Sequence, residues 1–152
     1  MTLCHGHHLR RGRHSSAGLT YLVTTVTHER RPIFQDFTAA RLLIANMRRL
    51  QDEARLDSLA FVVMPDHLHW LFSLRPAHAL SEVLRLLKGR TARRLNLQRQ
   101  ANGEVWQEGF HDHALRREED LQATARYIIG NPVRAGLVQS VRAYPHWDAI
   151  WF

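Results

Sequence analysis

From Leu19 to His28 the chain reads LTYLVTTVTH, a run dense in β-branched and aromatic residues that predicts a pleated strand. HERRP turns the chain, and Pro32, with no N–H to donate, closes that strand. Between Thr38 and Leu56 the period lengthens. Leu43, Met47, Leu50 and Ala54 recur at three-to-four spacing with arginines and acids between them, which predicts an amphipathic helix. Residues 59–64 and 67–74 are apolar stretches hinged by Pro65 and Asp66, and they predict a strand pair or one bent strand. Residues 80–97 return to helical spacing through Val83, Leu84, Leu87 and Leu95. After the turn residues Asn102 and Gly103, GEVWQEGFHDHALR reads as a short strand and loop. Residues 118–130 predict a third helix, with acids in the first turn where they complement the helix dipole, and Asn131 and Pro132 end it. Residues 1–18 have no apolar period and read as a flexible basic arm before one domain over residues 19–152. The order of elements predicts an α+β fold, an antiparallel sheet with helices packed on one face.

A chain of 152 residues suits one hydrophobic core. With 45% hydrophobic and 23% charged residues, the composition is that of a soluble globular protein. No apolar run approaches the roughly 20 residues of a membrane span, and no secretory signal follows the early arginines, so a cytosolic protein is expected. The lone Cys4 permits no internal disulfide. Charge changes the picture more: 21 basic against 14 acidic residues give +7, and nearly all the basic residues are arginine. Arginine makes planar, bidentate contacts with phosphate and stacks on bases, so a polyanionic partner is implied, although arginine-rich codon usage gives the same count.

Three constellations carry candidate chemistry. His67 and His69 straddle Leu68 in an apolar strand, so alternation directs both imidazoles to one face while Leu68, Trp70 and Phe72 point to the other. Two ring nitrogens on a rigid sheet suit a shared metal, and the plain alternative is two histidines on a solvated face. His111 and His113 form a second pair around Asp112, followed by Arg116 and Arg117, and look more like a loop that holds phosphate or buttresses a site. Tyr127 and Asn131, four residues apart, share a helix face. They suit a common target, but equally a core aromatic and a helix-ending amide.

Taken together, LRRGRHSSAGLTYLVTTVTHERRPIF, FVVMPDHLHWLF, LLKGRTARRLN, VWQEGFHDHALRREEDL, ARYIIGNPVRAGLV and YPHWDAIW resemble the REP-associated tyrosine transposases, bacterial single-tyrosine HUH transposases. Histidine–hydrophobic–histidine after M-P-D, with Y-I-x-x-N-P-V-R-A-G-L-V about sixty residues later, is a specific combination. The resemblance implies a ferredoxin-like antiparallel sheet. It implies Tyr127 as nucleophile, His67 and His69 as metal ligands and Asn131 as a third ligand, with His111 or His113 as alternatives for that place. The cofactor it implies is Mg2+ or Mn2+, and the product is a 5′-phosphotyrosine with a free 3′-hydroxyl. The expected substrate is single-stranded DNA beside a REP-like hairpin, bound by a monomer or homodimer of a bacterial, nucleoid-associated protein. Candidate phosphate contacts are Arg10, Arg11, Arg13, Lys88, Arg90, Arg93, Arg94 and Arg116. Two rivals stand beside this reading: a noncatalytic binder of palindromic repeats retained for host use, and a metal-dependent hydrolase in which water attacks.

Overall fold

The computed structural model describes residues 19–152. The arm assigned to residues 1–18, with Arg10, Arg11 and Arg13, lies outside the described residues. The β-branched run forms β1 (Thr20–Val26), and Thr27 bridges to Trp106 just beyond it. The first amphipathic helix, α1, covers Phe37–Asp52, four residues short of the predicted end. Ala54 takes φ 60°, and the Arg55 N–H returns to the Leu50 carbonyl, so the helix closes there. This releases Leu56 to open β2 (Leu56–Met64), where it is fully buried. Pro65 and Asp66 turn β2 directly into β3 (His67–Leu74). The basic helix α2 runs Leu80–Arg99 and the short strand β4 His111–Leu115. Helix α3 covers Glu118–Ile129.

Asn131 and Pro132 do not terminate the chain's helical course as expected. Gly130 stays in the right-handed region, and a short helix, α4 (Asn131–Arg134), follows at once. Proline is tolerated in a first helical turn because its missing N–H would have had no partner there. The closing YPHWDAIW adds an element that periodicity did not reveal, the three-residue strand β5 (Trp147–Ala149). It pairs with β2 through Ala60, Phe61 and Val62.

The five strands lie in the order β4-β1-β3-β2-β5, and every neighbouring pair is antiparallel. The α+β class and the ferredoxin-like sheet are therefore as expected. The crossovers β1-α1-β2 and β3-α2-β4 each skip one strand. Right-handed connections of this kind place both helices on the same face. Leu43, Met47, Leu50, Val83, Leu84 and Leu87 from those helices enclose Val23, Leu68, Trp70 and Phe72 of the sheet. Helix α3 lies outside the two crossovers and covers the opposite face, where Leu121, Ala125, Ile128 and Ile129 pack on Ala60, Val62 and Leu71. The helices thus occupy both faces rather than one, because each face of this sheet carries apolar side chains that need cover.

Candidate active site

The register fixes which side chains share the α3 face. Met64 opposes His67 and Val62 opposes His69 in the β2–β3 hairpin. Thr24 of β1 opposes His69 on one side and His111 on the other, and Leu22 opposes His113. Directly opposed residues project to the same face of a sheet. His67, His69, His111 and His113 therefore all stand on the face covered by α3. Leu68 and Trp70 are buried beneath the histidine pair on the other side, as alternation predicted. His111 is exposed and lies two strands from His69, about 10 Å at the usual strand spacing. The second pair thus stands beside the first on the same face.

Both histidines of the first pair are oriented by neighbours. His67 Nδ1 lies 2.7 Å from Asp66 Oδ1. Ionised carboxylate only accepts, so Nδ1 carries the hydrogen and Nε2 is the nitrogen left for a ligand role. Asp66 is itself gripped by Arg30 at 3.0 Å. Burial raises the Asp66 pKa, but the hydrogen bonds from His67 and Arg30 outweigh it and hold the carboxyl below its ordinary value. His69 Nδ1 is 2.8 Å from Thr24 Oγ1, a hydroxyl that accepts the Nδ1–H when Nε2 serves as ligand. Burial, then the charges of His67 and Arg134, push the His69 pKa down to about 4, so this imidazole is neutral at physiological pH. The rings stand edge to face with centroids 4.8 Å apart. Two oriented imidazoles fit a divalent transition ion. No group of three or more His, Cys, Asp or Glu suited to a metal occurs among the described residues.

Tyr127 lies on the outer side of α3 with 64% of its surface exposed, which removes the core-aromatic alternative. Arg134 packs over it, with the guanidinium carbon 3.9 Å from the ring centroid. The same guanidinium donates to the Tyr127 carbonyl at 2.5 Å and to Asn131 Oδ1. Asn131 is thus beside Tyr127, but its oxygen is engaged by an arginine. Arg134 touches Tyr127, and its charge is the smallest of the causes that lower the His69 pKa. Taken one at a time, Arg134, Thr24 and Asp66 carry no signal of a functional role in the sequence. Arg134 stands within the ARYIIGNPVRAGLV motif and Asp66 within M-P-D, whereas nothing local marks Thr24.

The candidate phosphate contacts divide. Arg116 is exposed at the junction of β4 and α3. Arg93 and Arg94 are exposed on α2, behind the sheet relative to the histidines. Lys88 Nζ donates to the carbonyls of Gln107 and Gly109, and Arg90 pairs with Glu53 at 3.1 Å. These last two hold α2 to its surroundings and are poorly placed as free phosphate contacts.

The chain is similar to known transposases. A candidate REP-associated tyrosine transposase of Haemophilus influenzae is 31% identical over 101 residues, covering 59% of this chain and 57% of that one. A REP-associated tyrosine transposase of Escherichia coli K12 is 31% identical over 87 residues, covering 57% of this chain and 50% of that one. The chain thus spans about half the length of these relatives. A solved REP-associated tyrosine transposase bound to a REP hairpin superposes with a TM-score of 0.75 at 25% identity, covering 89% of this chain and 79% of that one. No helix among the described residues is long and apolar enough to cross a membrane. The family model described as Transposase IS200 like matches residues 15–131, through the histidine pair, Tyr127 and Asn131, and the chain belongs to that family.

Proposed function

We propose that this protein cuts and rejoins single-stranded DNA beside a hairpin, with Tyr127 as nucleophile and His67 and His69 as ligands of Mg2+ or Mn2+. The observation that carries this reading is an exposed tyrosine, clamped by Arg134, on the helix that packs over the sheet face carrying His67 and His69. Tyr127 Oη attacks the scissile phosphorus. A Tyr–O–P bond forms as the P–O3′ bond breaks, the phenol proton leaves and the 3′ oxygen takes one up. A phosphotyrosine and a free 3′-hydroxyl result, and attack by a 3′-hydroxyl reverses the step and joins strands. A divalent ion bound at His67 and His69 supplies positive charge to the phosphate oxygens. The exposed arginines Arg93, Arg94 and Arg116, and the N-terminal Arg10, Arg11 and Arg13, are proposed to hold the DNA backbone. A hairpin partner fits the similar transposase solved with one. His111 and His113 are proposed to support the strand beside the site.

The test incubates the full chain with single-stranded DNA carrying a REP-like hairpin and Mn2+ or Mg2+, beside Tyr127→Phe. The expected result on a denaturing gel is a metal-dependent covalent adduct that Tyr127→Phe lacks. Cleavage without an adduct assigns the attack to water, and binding without cleavage makes the chain a repeat binder; either overturns the reading.

A further inference from the structure

Arg134, packed on Tyr127, has an environment unlike that of the ion-paired arginines of this fold. Arg30, Arg31, Arg49, Arg55, Arg75 and Arg90 all face carboxylates. Arg134 forms no ion pair among the described residues. Its partners are a carbonyl, an amide and an aromatic ring, all neutral, so its charge is uncompensated at an exposed position. Both hydrogen bonds leave from Nη2, while Nε and Nη1 have no acceptor among the described residues. Room for this placement comes from Gly130, where a Cβ would stand 2.8 Å from Arg134 Nη1. A planar cation with spare donors, packed on the tyrosine proposed as nucleophile, matches a phosphodiester oxyanion.

We infer that Arg134 is a phosphate-contact residue that, before DNA arrives, occupies Asn131 and clamps Tyr127, and that exchanges Asn131 for the scissile phosphate when DNA binds. The inference rests on the proposed transposase chemistry for its phosphate, but its DNA-free half concerns this chain alone. Arg134 and a divalent cation compete for one oxygen, Asn131 Oδ1, and repel one another across the site. The guanidinium therefore lowers metal affinity in the free protein. It raises turnover once phosphate draws it away and leaves the amide free.

Two readouts of opposite sign test this. Mn2+ binding to the full chain without DNA is measured by titration calorimetry for wild type, Arg134→Ala and Arg134→Lys, and adduct formation on hairpin DNA is timed at saturating Mn2+. Arg134→Ala is expected to bind Mn2+ roughly threefold to tenfold more tightly. It is expected to form adduct about 100-fold more slowly, the usual loss for one preorganised charge-stabilising donor. Arg134→Lys keeps the charge without the planar fork, so it should bind Mn2+ more tightly than wild type and lose less of the rate. This variant gives the same two readings should the alanine variant fail to fold. Mn2+ affinity unchanged or weakened, or an adduct rate within twofold of wild type, overturns the proposal. A wild-type protein that forms no adduct removes the transposase reading instead. In that case the Mn2+ titrations still decide whether Arg134 competes for Asn131.

Discussion

His69 sits where protonation and folding are linked. Its folded pKa, about 4, is below the ordinary 6.5 because burial, and then coulombic repulsion from His67 and Arg134, disfavour the charged ring. A depressed folded pKa contributes stability that is fully present above the unfolded value and is lost as pH falls through the folded one. The loss should therefore fall between pH 6.5 and 4. In His69→Gln the change in unfolding free energy over that window should be smaller than in wild type, measured by denaturant melts at both ends. An unchanged slope would show that His69 is not the group being titrated. Asp66 acts one bond further out. By fixing the His67 ring and its tautomer it should support metal binding without touching the ion, so Asp66→Asn is expected to weaken Mn2+ binding about tenfold. Calorimetry with the variant reads this directly, and unaltered affinity would leave Asp66 only its link to Arg30.

Two helical pieces joined at Gly130 build the tyrosine side of the site. Buried Leu121, Ala125, Ile128 and Ile129 anchor α3 to the sheet, which leaves Tyr127 on the outer side. Gly130 has φ −81° and ψ −7°, a conformation any residue adopts, so glycine is not required there by the backbone. What glycine leaves open is the seat of the Arg134 guanidinium, which an added Cβ would meet at 2.8 Å and push aside. Gly130→Ala should raise helix stability by up to about 1 kcal/mol while displacing Arg134 from its seat. The expected outcome is a melting temperature equal to or above that of wild type together with slower adduct formation. Full activity in a variant of normal stability would show that Arg134 has no need of its resting position.

The sheet divides the molecule into a chemical face and a supporting face, and the arginines are spread over both. Arg93 and Arg94 project from α2 on the supporting side, away from His67, His69 and Tyr127. Their role, if DNA wraps toward that side, is to hold backbone rather than to assist the reaction. Arg93→Ala combined with Arg94→Ala should weaken hairpin binding and lower the slope of log affinity against log salt by about 2, one for each phosphate no longer neutralised. At saturating DNA the adduct rate should be that of wild type. A fall in that rate, with binding intact, would place these residues nearer the reaction than the fold does.

What the chain determines by itself is local. Period-two alternation is enough to put His67 and His69 on one face and Leu68 and Trp70 on the other, because pleating acts between adjacent residues. Helical spacing sets Tyr127 beside Asn131 and locates α1, α2 and α3 to within a few residues. The sequence motifs carry the family and, with it, the expected nucleophile. Other features depend on partners distant in sequence. The face taken by α3 follows from apolar surface left over after two right-handed crossovers, which no single segment encodes. β5 is only three residues long, and its edge pairing with β2 defines it. Thr24 reaches His69 only through the β1–β3 register. Lys88 and Arg90 look like free cations on a basic helix until folding brings them carbonyls and a carboxylate. Arg134 follows Tyr127 by seven residues, but its place over the ring requires the turn at Gly130 and the short helix behind it. Propensity and periodicity act over a few residues, whereas register, burial and charge pairing act across the whole fold, and those long-range effects place the groups around the tyrosine and the histidines.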